Sequence, residues 1–253
     1  MIERTIKNDF WYFLAFNIIG FGLFASWWFE GTVTRGWWDA LDASVFYFLN
    51  GSLSEGHYWQ LFWSAANYRA SDLVPALYLL GLYAYLTFND DSRERAKYIA
   101  VFIMIAIFTP LVIEFVKIFI SNDRVSPSLV LEPVYRLREL IPWIDAKDAS
   151  RGSFPSDHAL VLYLWVGYLW FYAGWRYGLL TFILTLLFLL PRLVSGAHWI
   201  TDVIVGGGSV VLVCIGWLFF TPLHRIFIKL LMPVATRLTG LVNWCAGLVG
   251  IRS

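Results

Sequence analysis

An all-α integral membrane fold with six transmembrane helices is what this sequence predicts, and three observations carry the prediction. Apolar residues make up 59% of the 253-residue chain and charged residues only 15%, whereas a soluble domain is about half apolar and about a quarter charged. Mean hydropathy is +0.63. Six apolar runs, roughly 10–29, 72–88, 97–120, 158–175, 177–194 and 203–221, approach the ~20 residues that a bilayer crossing needs. No internal repeat or low-complexity tract stands out, so the chain reads as one membrane domain over 1–253.

The N-terminal "MIERTIKNDFWYFLAFNIIGFGLFASWW" is too long for a signal peptide and lacks a small-residue cleavage pattern. It reads as a retained first span. Between the first two runs, apolar residues recur at helical spacing with breaks at Gly51 and Gly56. Two short helices lying in the membrane interface fit that pattern, with Trp37, Trp38, Trp59 and Trp63 at headgroup level. Residues 121–156 form the longest polar stretch and hold Pro127, Pro133, Pro142 and Pro155. The tail from about 222 to 253 is mildly basic and amphipathic and is expected on the membrane surface. Cys214 and Cys245 read as packing residues, and the net charge of +1 gives no reason for a nucleic-acid partner.

Loop charge sets the orientation. With the N-terminus inside, Arg4, Lys7, Arg93, Arg95, Lys97, Arg176, Arg225, Lys229, Arg237 and Arg252 face inward, and nine basic residues face outward. That bias is weak, but six of the nine (Lys117, Arg124, Arg136, Arg138, Lys147, Arg151) lie at or within one loop. A loop with a basic task distorts the count. The short "NDDSRERAK" is the cleanest inside marker, so both termini are placed inside. This topology brings the end of the third span, the start of the fourth and the joint of the fifth and sixth to one outer face, each rich in Lys, Arg, His or Asp.

Charge beside hydrocarbon is expensive and marks function by default. In "RLVSGAHWITD", His198 and Asp202 are four apart and share a helical face. A carboxylate one turn away holds an imidazole N–H, fixes the tautomer and raises the basicity of the other ring nitrogen. Arg192, six residues earlier, carries a planar fork suited to phosphate. In "VKIFISNDR", Lys117 and Arg124 are seven apart and can point the same way; the plain alternative is that Lys117 snorkels to the headgroups or pairs with Glu114, one turn away, and that Arg124 has no special task. In "SRGSFPSDHAL", Pro155 leads into a helix with Ser156 and Asp157 in the capping zone. A helix N-terminus with free N–H groups is an anion site, and His158 in its first turn can protonate a leaving oxygen. Together these groups describe phosphoryl transfer: cations neutralise the phosphoryl oxygens, one His attacks in line, and the other protonates the leaving group. No carboxylate cluster for Mg²⁺ accompanies them, so the expected mechanism is metal-independent, without cofactor, through a phosphohistidine.

These residues resemble the type-2 phosphatidic acid phosphatase superfamily, whose signature is K-x6-R-P, P-S-G-H and S-R-x5-H-x3-D. Here it reads Lys117-x6-Arg124-Val125, Pro155-Ser156-Asp157-His158 and Pro191-Arg192-x5-His198-x3-Asp202. The resemblance covers about 97–221 as a catalytic core. It implies a six-helix membrane fold with His198 as nucleophile, Asp202 orienting it and His158 as general acid. It assigns phosphate binding to Lys117, Arg124, Ser156 and Arg192. The departures are Val125, Asp157 and Pro191; Asp157 puts a carboxylate beside the phosphate, to cap the helix or to hold an Arg.

Within the superfamily, "RVSPSL", "AKDASRGSFPSDHAL", "GAHWITDVIVG", "LDASVFYFLN" and "NYRASD" are similar to the bacterial lipid A 1-diphosphate synthases. That likeness implies phosphate transfer from undecaprenyl diphosphate to the lipid A 1-phosphate, in the bacterial inner membrane with the site facing the periplasm. "SFPSDH" also occurs in undecaprenyl diphosphate phosphatases, which share the first half-reaction and differ in using water as acceptor. Arg69, Arg136, Arg138, Lys147 and Arg151 are candidates for a second phosphate or an acceptor headgroup, as is Asp157; solvated loop charge is the plain alternative for each. Two other classes compete. A transporter would usually show repeats or helices broken at mid-membrane, and a metalloenzyme would use His158, His198, Asp157 and Asp202 as ligands.

Overall fold

The structure is a computed structural model that describes residues 10–89, 92–120 and 123–248, the side chains of 92–94, 242 and 245–248 excepted. Of the inward-facing cations of the orientation reading, Arg4, Lys7, Arg252 and the side chain of Arg93 lie outside the described residues, as does that of Cys245. The described residues form helices and no strands. They are α1 (Phe10–Trp28), α2 (Val33–Gly51), α3 (His57–Ala66), α4 (Leu73–Phe88), α5 (Ser92–Phe119), α6 (Leu137–Leu140), α7 (Asp157–Tyr172), α8 (Trp175–Val194), α9 (Gly208–Phe220) and α10 (Leu223–Leu248).

Five segments among the described residues are long and apolar enough to cross a membrane: Phe10–Trp28, Arg69–Phe88, Arg95–Phe119, Trp175–Val194 and Asp202–Phe220. The expected fourth span is α7, which stops after 16 residues at Ala173 and Gly174. At ~1.5 Å per residue it is about 24 Å long, short of the ~30 Å hydrocarbon core. Large apolar side chains such as Leu180, Ile183 and Leu187 of α8 are exposed at 48%, 50% and 57%. Such a surface suits hydrocarbon and not water.

The main core lies where α4, α5, α7, α8 and α9 meet, around Val101, Ile105, Leu160, Leu189 and Phe219. α1 closes one side against α9, with Trp217 Nε1 donating 3.1 Å to Asn17 Oδ1. The stretch between the first two spans is helical and broken at the two expected glycines. α2 ends at Gly51, a 3-10 turn follows, and Gly56 takes φ +135° before α3. The amphipathic tail is also helical. α10 buries Ala235 and Thr239 and packs along α5, where Arg95 donates to Asn243. Cys214 packs, half-buried, against the main core.

Candidate active site

The described part of the polar stretch, residues 123–156, does not float in solvent. Its backbone is sewn to the α8–α9 joint and to itself: Ser128 N donates to Gly196 O at 3.1 Å, Ser156 N to Asp202 O at 3.1 Å, and Ser153 N to Arg124 O at 2.8 Å. Two glycines permit the close approach. Gly196 turns the chain at φ +71°, and a Cβ there would meet Phe46 at 2.8 Å. A Cβ at Gly206 would lie 2.5 Å from Pro155 Cβ. Gly206 belongs to a π-helical turn, Asp202–Gly207, that leads into α9, and such turns gather at functional sites. The result is that the N-terminus of α7, which carries His158, meets the α8–α9 joint, which carries His198.

His198 is 5% exposed. Its Nδ1 lies 2.9 Å from the Ser153 carbonyl and 3.4 Å from Asp202 Oδ2. A carbonyl only accepts, so Nδ1 carries the proton and Nε2 of the neutral ring keeps its lone pair. Asp202 does more than face the ring. Oδ2 accepts from Trp199 N at 2.9 Å, and Oδ1 takes a 2.6 Å bond from Arg124. A cavity of about 100 Å³ opens beside His198 and is walled by Lys117, Lys147, Asp157 and His158. Three separate parts of the signature thus converge on one small space. Lys117, in the last turn of α5, bonds Glu114 at 3.1 Å and stays about half exposed.

Asp157 stands in the first turn of α7, where the helix dipole favours a carboxylate. The cap itself is Ser156: its buried Oγ accepts from Ala159 N at 3.5 Å. Neither Ser156 nor Arg124 lines the small cavity. Arg124 lies behind His198. Its Nη1 donates to Asp202 Oδ1 at 2.6 Å and Thr201 Oγ1 at 2.7 Å, and its Nη2 to Asp42 Oδ2 at 2.6 Å. The guanidinium sits 4.8 Å from both the Trp27 and Trp199 rings, a sandwich that planar, delocalised charge tolerates well.

Asp42 was not singled out by the sequence. It is 1% exposed and also accepts from Thr201 N at 3.0 Å and Thr201 Oγ1 at 2.6 Å. Burial pushes its carboxyl above the ordinary value, against the opposing pull of Arg124 and Thr201. A signal did exist: Asp42, Phe46 and Asn50 recur at i, i+4 and i+8, and all three are buried. Two polar groups on a buried stripe demand partners. Asn50 finds them in Tyr135 N and O and in Val194 O, at 2.8, 3.0 and 3.0 Å.

On the far side of His158, Asp72 joins two expected site residues. Its Oδ2 lies 3.2 Å from His158 Nε2 and its Oδ1 2.7 Å from Arg192 Nη2. Arg192 is buried, bonded also to Asn67, with Nη2 3.4 Å from His158 Nε2. A second cavity of about 430 Å³ opens here, walled by Arg69, Asp72, Arg136, Arg138, Lys147 and Arg192 among others. Of the candidates for a second phosphate, Arg69 lines it, whereas Arg151 is exposed and lines neither cavity.

Comparison with known proteins places the chain in a family. The PAP2 superfamily matches residues 97–232. Lipid A 1-diphosphate synthase of Escherichia coli (strain K12) is 36% identical over 210 residues, which cover 82% of this chain and 86% of that protein. No solved structure matches. A family match over more than half of the chain, with a relative 36% identical over most of it, leaves one reading of its class: the chain is a membrane enzyme and belongs to the PAP2 superfamily of phosphatases and phosphotransferases.

Proposed function

We propose that this enzyme moves the terminal phosphate of undecaprenyl diphosphate, through a phosphohistidine, to the 1-phosphate of lipid A. The observation that carries the reading is the shared cavity of Lys117, His158 and His198, with Nδ1 of His198 tied back so that Nε2 is the free nitrogen. The name of the 36% identical relative supports the choice of acceptor. His198 Nε2 attacks the terminal phosphorus in line. His158 gives its proton to the departing lipid phosphate and later takes one from the acceptor. Lys117, the N-terminus of α7 behind Ser156 and the Arg192 charge meet the phosphoryl oxygens, and Arg124 braces Asp202 beside the nucleophile.

The working topology is one membrane domain over 1–253 with its catalytic core at 97–221 and six spans, α7 crossing as the fourth. Its short length is tolerable because α5, α8 and α9 pack around it. The site then faces the periplasm from the bacterial inner membrane.

The test uses purified protein in detergent with labelled undecaprenyl diphosphate, with and without Kdo-lipid A. Label on lipid A is the expected result. Free phosphate alone, unchanged by the acceptor, would make the enzyme a lipid diphosphate phosphatase.

A further inference from the structure

The larger cavity beside His158 carries more positive charge than the catalytic step uses. Five cations line it, Arg69, Arg136, Arg138, Lys147 and Arg192, against the two carboxylates of Asp72 and Asp148. Those carboxylates are already engaged, and Asp145, outside the lining, pairs with both Arg69 (3.1 Å) and Arg138. Asp148 takes bonds of 3.0 and 3.2 Å from Arg136, and Asp72 holds Arg192 and His158. Lys147 differs from the arginines. Among the described residues its ammonium has no hydrogen-bond or ion-pair partner, and burial, then Arg192, pushes its pKa below the ordinary lysine value. A half-buried cation without a partner is costly unless an anion arrives.

Lys147 and His158 line both cavities, so they form the partition between them. In-line transfer puts nucleophile and leaving group on opposite sides of the phosphorus. His198 belongs to the small cavity and not to the large one. His158, on the partition, therefore marks the leaving side, and the larger cavity lies beyond it. When a lipid diphosphate is the donor, what leaves is a phosphate monoester. An acceptor enters from the side the leaving group vacates.

We propose that the larger cavity is a phosphate-monoester subsite used twice per turnover, first by the departing lipid phosphate and then by the acceptor phosphate. The inference rests on the reading of the enzyme as a lipid diphosphate phosphotransferase, and it names the element that distinguishes transfer from hydrolysis. In the first step the P–O bond to the lipid phosphate breaks, the P–N bond to His198 Nε2 forms, and the His158 proton goes to the leaving oxygen. In the second, an acceptor phosphate oxygen forms the new P–O bond, the P–N bond breaks, and His158 regains its proton, from the acceptor when it binds as the monoanion and from solvent when it binds as the dianion. Water carries no charge for the cations to hold, so the cavity favours a phosphate over water.

The test is isotope exchange. Purified full-length protein is given unlabelled undecaprenyl diphosphate and labelled undecaprenyl phosphate, and label entering the diphosphate is followed. Exchange must saturate in the monophosphate. Lys147→Gln is expected to raise the half-saturating concentration about tenfold or more, the worth of one charge-assisted hydrogen bond, and Lys147→Arg to restore it. Arg69→Gln, at an exposed position lining only the larger cavity, should raise it about threefold. Kdo-lipid A should inhibit the exchange competitively with the monophosphate. Donor turnover without saturable exchange, or half-saturation unmoved in both charge-removing variants, overturns the subsite while leaving the enzyme's class intact. Non-competitive inhibition by lipid A overturns the double use. No donor turnover at all overturns the functional reading itself.

Discussion

Asp72 Oδ2 lies 3.2 Å from His158 Nε2 while its other oxygen takes a 2.7 Å bond from Arg192. One carboxylate, at the end of a 3-10 turn ahead of α4, therefore sets the position of the proposed acid, His158, and of the proposed phosphate-binding Arg192 at once. Asp72→Asn keeps the size and removes the charge. The expected loss in kcat is about tenfold, part of the ~10²–10⁴ that a positioned acid supplies. It should grow as the leaving group becomes poorer. An equal loss across a leaving-group series would reduce Asp72 to a structural contact.

His198→Ala should abolish both turnover and the phosphoenzyme. Rapid quench with labelled donor reads the protein-bound phosphate directly. A substantial burst of label on the variant would put the nucleophile on another residue.

Asp42→Ala leaves Arg124 Nη2 and Thr201 N facing an empty space in the protein interior. Breaking a buried pair on one side is costly, and the fold should lose about 3 kcal/mol, read as a lower unfolding midpoint in detergent. Activity should also fall, because Arg124 loses the carboxylate that anchors its Nη2 and is held less firmly against Asp202. An unchanged midpoint would mean that the network adjusts without Asp42.

Lys147 makes affinity for the lipid monophosphate dependent on pH. Its pKa is lowered by burial and by Arg192 and Arg69, against Asp157 and Asp72. An ammonium with a lowered pKa loses its proton earlier as pH rises. Affinity should decline at lower pH than a lysine with the ordinary value of 10.5 would give, whereas the phosphate's own second ionisation lies far lower, at about 6. Lys147→Arg, charged throughout, should hold its affinity across that range. Parallel declines in both proteins would assign the titration elsewhere.

EDTA should leave activity unchanged, and vanadate should inhibit. The carboxylates nearest the two histidines are occupied by arginines, Asp202 by Arg124 and Asp72 by Arg192, which leaves a poor set of donors for a divalent ion. Loss of activity in EDTA that a divalent cation reverses would replace this mechanism with a metal-assisted one.

Local chemistry was enough for the sequence to determine the class and to single out candidate reagents. Apolar runs report the solvent of the fold. Lys117, His158, Arg192, His198 and Asp202 are recognisable because motif spacing survives any arrangement of the helices. Helix breaks at Gly51 and Gly56 were legible for the same reason, since each depends on its own backbone. Only the tertiary structure decided who holds whom. Asp42 and Asp72 meet partners 82 and 120 positions away, Arg124 and Arg192, and no local pattern encodes such a distance. Ser153 supports His198 through a backbone carbonyl, a group every residue owns and no sequence motif displays. Arg124 kept its place in the motif, yet its guanidinium faces Asp42 and Asp202 behind the nucleophile. Spacing along the chain marked which groups are candidates for one site; packing of α2 and residues 123–156 against the α8–α9 joint decided which cations are neutralised and which remain for the proposed phosphate.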